Sequence, residues 1–176
     1  PEQRITLEAK QSNKVTPSEE ELARYSREAA EQKAVYQSFT PSNSQSWPNF
    51  AWPIKGKISS PFGLKRFFND QPRDPHAGLD IASPEGKPVA APADGIVVQT
   101  GDYFFNGKTV MIDHGQGIIS MLCHLSKINV EKGQSLKQGD IIGLVGQTGR
   151  ATGPHLHYGV SINNARVDPL LILPQP

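Results

Sequence analysis

The chain has 176 residues, a formal net charge of +1 and 36% apolar residues. That length accommodates one compact domain plus an appendage. The near-zero charge and the lack of an arginine-rich run exclude a nucleic-acid partner, and no apolar stretch approaches the roughly 20 residues of a membrane span.

Residues 1–15 are polar, with an Arg4-Ile5-Thr6-Leu7 alternation that reads as the last strand of an upstream domain. No charged-then-apolar leader follows Pro1, so a fragment of a longer, exported protein is expected, its signal or anchor removed. Thr16-Pro17-Ser18-Glu19 reads as a capping box with proline at the first helical position. Leu22, Tyr25, Ala29 and Tyr36 follow at helical spacing, which predicts a helix over about 17–37. Its other face is Glu, Arg, Lys and Gln, as expected of a solvated connector; the alternative is a helix that packs over the next domain or its groove. Ser38–Asn49 is a Pro/Ser/Asn-rich linker. A division follows: 1–49 as remnant strand, helix and linker, 50–176 as the main domain.

From Phe50 onward glycines punctuate short β-branched runs at Gly95–Val98, Thr109–Ile112, Gly117–Ile119, Ile141–Val145 and Tyr158–Ile162. They predict a mainly β fold, a small antiparallel sheet of glycine-pinned hairpins. Cys123, the single cysteine, ends the apolar run Ile118–Cys123 and is expected to be a buried strand residue, with no internal disulfide. Pro92–Val97 and Val130–Asp140 look like hairpins of a biotinyl or lipoyl carrier, but the Met-Lys-Met or Asp-Lys-Ala turn that carries the modified lysine is missing.

The chemistry concentrates in His76-Ala77-Gly78-Leu79-Asp80 and His155-Leu156-His157. Pro75 and Gly78 disfavour a helix, so His76 and Asp80, four apart, share one side of a strand. His155 and His157, two apart, do the same. Three imidazoles and a carboxylate suit a transition-metal site. His124 follows the apolar run, and His114 sits in Asp113-His114-Gly115, a turn signal. No Gly-x-Ser-x-Gly elbow points to a serine hydrolase.

These motifs resemble the lysostaphin-type zinc metallopeptidases, which cut peptide cross-links of bacterial peptidoglycan. The resemblance runs from about Trp52 to Leu173. It includes Ser59-Ser60-Pro61-Phe62-Gly63, the His76–Asp80 segment, Ala91–Gly95, Asp113–Gly115, His124-Leu125-Ser126, Gly146–Gly149 and Gly153–His157. It implies that His76, Asp80 and His157 hold Zn2+, and that His124 and His155 are catalytic. His155 is favoured as general base because its strand neighbour His157 holds the metal. Asn106, Gly107 and Gly149 are expected to line a shallow substrate groove, and His114 to lie outside the metal shell. Peptidoglycan peptides are the implied substrate, and the Gly101–Gly107 segment favours a D-alanyl–diaminopimelate bond. A periplasmic, possibly anchored monomer is implied, with an upstream domain or regulatory protein as partner. Relatives that lost their ligands activate other wall hydrolases instead. Two departures stand out: Leu122 replaces a common tyrosine, and Leu64–Arg73 has none. That stretch reads as a loop rimming the groove, with Arg66 or Arg73 on a substrate carboxylate.

Overall fold

Ile118–Ile128 is buried along nearly its whole length, on both faces, and it becomes a central strand. The structure is a computed structural model that describes residues 2–7, 9–42 and 46–175. Its strands are β1 Glu2–Ile5, β2 Lys57–Ser60, β3 Lys65–Phe68, β4 Gln71–Arg73, β5 Leu79–Ala82, β6 Pro88–Ala90 and β7 Gly95–Tyr103. They continue as β8 Gly107–Asp113, β9 Ile118–Ile128, β10 Ser135–Leu136, β11 Ile141–Val145, β12 His155–Ile162 and β13 Ala165–Val167. One α-helix, α1 Glu19–Tyr36, precedes the main sheet.

The main sheet runs β10-β7-β8-β9-β12-β5-β2, and β11 joins β9 to β6. Except for the pairing of β1 with β3, every strand pair described is antiparallel, as the glycine-punctuated pattern predicts. Alternate side chains of a strand point to opposite faces. Val110, Ile112, Leu122, Leu156 and Tyr158 therefore enter the main core. Met111, Ile119, Met121 and Cys123 face the other way, where Tyr36 of α1 covers them. Cys123 is fully buried, and burial pushes its thiol up to about 12.

The helix departs from two expectations. Its N-cap is Ser18, not Thr16: Glu21 N donates to Ser18 Oγ at 3.2 Å and Ser18 N to Glu21 Oε1 at 3.1 Å. The reciprocal Ser-x-x-Glu pair begins two residues later than the Thr-Pro reading, which leaves Pro17 outside the helix. Nor is the polar face a solvated connector. Arg24 donates to Asp102 O at 2.9 Å, and Glu28 and Gln32 accept from Phe104 N (2.9 Å) and Asn106 Nδ2 (3.3 Å). The charged residues dock the helix on the β7–β8 hairpin.

The N-terminal strand, β1, pairs in parallel with β3 over Glu2↔Lys65 to Ile5↔Phe68. Leu64–Arg73 is not a loop but holds the β3–β4 hairpin, turned at Asn69 and Asp70 with φ of 48° and 62°. Asn and Asp tolerate that left-handed geometry, which matches strand twist in a two-residue turn. Ile5, Leu7, Val15 and Phe68 form a small apolar cluster beneath this second sheet. Residues 43–45 of the linker lie outside the described residues. No helix described is long and apolar enough to cross a membrane.

Tyr36 is the buried α1 side chain in the cluster under the helix, with Val35 packed beside it, and the Arg166 guanidinium lies 3.3 Å from its ring centre. Tyr36→Ala is expected to cost about 3 kcal/mol in urea unfolding. A loss under about 0.5 kcal/mol, the scale of a surface substitution, would mean that α1 is only loosely held.

Candidate metal centre and groove

The antiparallel register of β12 with β5 sets His157 directly opposite Asp80 and His155 opposite Ala82. Both histidines share the face that carries Met121 and Cys123, so the site and the helix divide that face between them. His76 lies four residues before Asp80, just ahead of β5. Its Nε2 stands 3.1 Å from Asp80 Oδ1 and 3.1 Å from His157 Nδ1; His157 Nδ1 stands 2.9 Å from Asp80 Oδ1.

These three atoms fit a metal. His76 Nδ1 donates to Pro61 O at 2.9 Å, which assigns the tautomer and leaves Nε2 as a lone pair. That lone pair faces a carboxylate oxygen and a second imidazole nitrogen, an arrangement a cation relieves. Donors about 2.0–2.1 Å from a tetrahedral zinc stand roughly 3.3 Å apart, close to the observed triangle. Burial opposes ionisation of Asp80, but hydrogen bonds and charge from His157 and His76 outweigh it and hold the carboxyl well below its usual range. Burial pushes His157 down, toward the neutral form a metal requires. Among the described residues this is the one such group of three or more.

Two further imidazoles flank the triangle. His155 Nδ1 donates to Gly153 O at 2.8 Å, and its Nε2 lies 3.9 Å from Asp80 Oδ2. His124 Nδ1 donates to Thr148 O at 2.6 Å, and the two ring centres are 4.8 Å apart. In both rings Nε2 keeps its lone pair. Burial, then His155 and His157, pushes His124 down to about 3, so it stays neutral. The backbone delivers this ring by an irregularity: Lys108 pairs with Leu125 but Val110 with Leu122, so β9 carries one extra residue. His124 takes φ of 61° in that bulge, a conformation costly for a side-chain-bearing residue.

The groove has a volume of about 360 Å³ and contains Asp80, His124, His155 and His157. Asn106 lines it. Gly107 and Gly149 do not; they pack against each other beneath the Thr148 carbonyl that holds His124. A Cβ at Gly149 would lie 2.4 Å from Gly107 N, and one at Gly107 would lie 2.3 Å from Thr148 Oγ1. Arg66 lines the groove and donates to Asp80 Oδ2 at 3.2 Å, and Arg73 donates to Val15 O. Among the groove residues that sequence reasoning missed are Gln3, Ile5 and Arg150. Their placement depends on the β1–β3 pairing and on a stacked arginine, neither of which leaves a local signal. His114 lies apart, bonded to Asp94 O and Ser120 Oγ, both at 2.7 Å. A cavity of about 420 Å³ beside it is lined by Trp47, Asp94 and Gln138.

Gly78 keeps the metal centre open. A Cβ there would lie 2.6 Å from His157 Cε1 and 2.8 Å from Tyr158 O. Gly78→Ala is therefore expected to displace His157 and weaken zinc binding at least about tenfold in chelator competition, the scale of a disturbed ligand orientation. Unchanged affinity would show that His157 is not a ligand.

Residues 74–169, just over half of the chain, match peptidase family M23. The DD-carboxypeptidase/endopeptidase Mpg of Neisseria meningitidis serogroup B is 42% identical over 121 residues, 68% of this chain and 28% of that protein. The chain thus spans under a third of that relative's length. A crystal structure of an M23 peptidase from Pseudomonas aeruginosa superposes with a TM-score of 0.77 at 52% identity, covering 88% of this chain and 62% of that one. A zinc-containing peptidase from Vibrio cholerae superposes at 0.64 with 39% identity, over 68% of this chain and 39% of the other. The match spans the strands that carry the metal triangle and its flanking imidazoles, and on it the chain belongs to peptidase family M23.

Proposed function

We propose that this chain carries the catalytic domain of a zinc-dependent endopeptidase that hydrolyses peptide cross-links of bacterial peptidoglycan, of the D-alanyl–diaminopimelate type, outside the cytoplasm. Residues 50–176 form that domain in this reading, and it acts as a monomer without nucleic acid. The observation that carries it is the convergence of His76 Nε2, Asp80 Oδ1 and His157 Nδ1 beside two imidazoles with free Nε2 lone pairs. The name of the Neisseria relative, a DD-carboxypeptidase/endopeptidase, supports the endopeptidase reading.

His76, Asp80 and His157 would hold zinc, which would supply a Lewis acid to polarise the scissile carbonyl and make water more acidic. His155 takes the proton of the attacking water at Nε2 and returns it to the leaving amine as the C–N bond breaks. His124, whose burial disfavours its charged form, orients that water by accepting a hydrogen bond at Nε2. Asp80 is kept ionised, and Arg66 holds its outer oxygen. Asn106 contacts the peptide, while Gly107 and Gly149 let the loops close behind His124.

Elemental analysis and digestion of purified peptidoglycan test this together. One zinc per chain and loss of cross-linked dimers are expected. His155→Ala should keep zinc and lose turnover by about 10²–10⁴-fold, while Asp80→Ala should lose both. Full zinc occupancy with normal rates in Asp80→Ala would overturn the ligand assignment.

One observation favours a restrained form of the same enzyme. Gln3 and Ile5 of β1 wall the groove, and Gln3 Oε1 accepts from Ser60 Oγ at 2.9 Å and Arg66 Nε at 3.0 Å. Removal of residues 1–15 is expected to raise turnover of cross-linked muropeptides. Equal or lower turnover, with the fold intact by circular dichroism, would show that β1 supports the groove rather than restricts it.

A further inference from the structure

Among the described residues Arg150 is a cation without an acid. Its guanidinium lies 4.1 Å from the Phe68 ring centre and 4.5 Å from that of Phe105, stacked against both. Its one hydrogen bond is from Nη1 to Lys14 O, at 3.5 Å. A guanidinium carries five N–H donors, so most of its donors have no protein acceptor. None of these nitrogens is sealed from solvent without a partner; the spare donors reach the groove that Arg150 lines with His155 and His157.

The surrounding charge sharpens the point. Burial, then Arg66 and Arg73, presses the Arg150 guanidinium down to about 10. Arg66 lies 5.6 Å from the same Phe68 ring, so the two guanidinium carbons are no more than about 10 Å apart. Among the described residues Asp80 is the only acid lining the groove, and the metal triangle and Arg66 already take both its oxygens. One wall of the groove thus holds an uncompensated, donor-rich, planar cation. Such a group matches a carboxylate in shape as well as charge.

We propose that Arg150 is a specificity-determining residue that binds a substrate carboxylate beside the scissile bond. The inference rests on the function proposed above and deepens it. In a D-alanyl–diaminopimelate cross-link, the scissile nitrogen sits on a carbon that bears a free carboxylate. Arg150 reads that group, so a cross-link with a carboxamide there, or one through a lysine side chain, is the poorer substrate. The Phe68–Phe105 stack holds the guanidinium plane in advance, so little side-chain freedom is lost on binding.

The test compares two cross-linked muropeptide dimers, identical except for carboxylate or carboxamide on the carbon bearing the scissile nitrogen. With the zinc-loaded chain, kcat/KM should be about 10–100-fold higher for the carboxylate, the span of one charge-assisted hydrogen bond. Arg150→Gln should erase that ratio, with the larger fall in kcat/KM on the carboxylate dimer, and Arg150→Lys should restore part of it. A purely structural arginine would lower both rates and keep their ratio. Equal wild-type rates on the two dimers, or an unchanged ratio in Arg150→Gln, would overturn the assignment. Binding of the same dimers to His155→Ala protein, followed by calorimetry, gives a readout without turnover. Tighter binding of the carboxylate dimer, lost in the added Arg150→Gln variant, upholds the anion site even if no dimer is cleaved and the endopeptidase reading fails. Equal binding of the two dimers overturns it.

Discussion

The carboxylate of Asp80 is the joint on which the rest of the structure depends. One oxygen meets His76 and His157, the other meets Arg66. Three separate parts of the chain are thereby tied: the approach to β5, the β3–β4 hairpin and β12. A buried carboxylate is costly unless it is paired and hydrogen-bonded, and every element of the second sheet contributes to that pairing or to holding it. β3 brings Arg66, β4 closes the hairpin, and β1 clamps it through Gln3. The N-terminal residues are thus part of the site's architecture.

The same sheet face serves two purposes. Over β8 and β9 it is dry and capped by Tyr36; over β12 and β5 it is the metal triangle and the groove. The boundary is Asn106, which touches Gln32 of the helix on one side and lines the groove on the other. Tyr25 of α1 also meets the Phe105 ring, 4.8 Å between centres, and Phe105 is one of the two rings that flank Arg150. Helix position and groove shape are therefore mechanically linked through a few aromatic contacts.

Much of this was legible in the sequence because it is local. The period-2 spacing of His155 and His157, and the four-residue step from His76 to Asp80, already imply a shared face, and the glycine-punctuated runs imply antiparallel hairpins. Placing His124 required the family resemblance, since the bulge that turns its ring inward is invisible in Cys123-His124-Leu125. What stayed hidden depends on distant partners. Arg4–Leu7 alternates like any strand, and only its pairing with residues 65–68 shows whose sheet it joins. The arginines near the first motif drew attention as substrate ligands, yet Arg66 serves Asp80, and the unpaired cation is Arg150, far along the chain. The helix illustrates a different limit: a charged face looks solvated until its hydrogen bonds to the β7–β8 hairpin are seen.

The buried thiol has a consequence of its own. Cys123 pairs with His157 across two strands, one residue from the His124 imidazole, where a reactive sulfur would compete for zinc or be oxidised. Burial keeps it protonated and out of contact with solvent. With no disulfide to form and no thiolate to lose, neither the fold nor the metal centre depends on the redox poise of its surroundings.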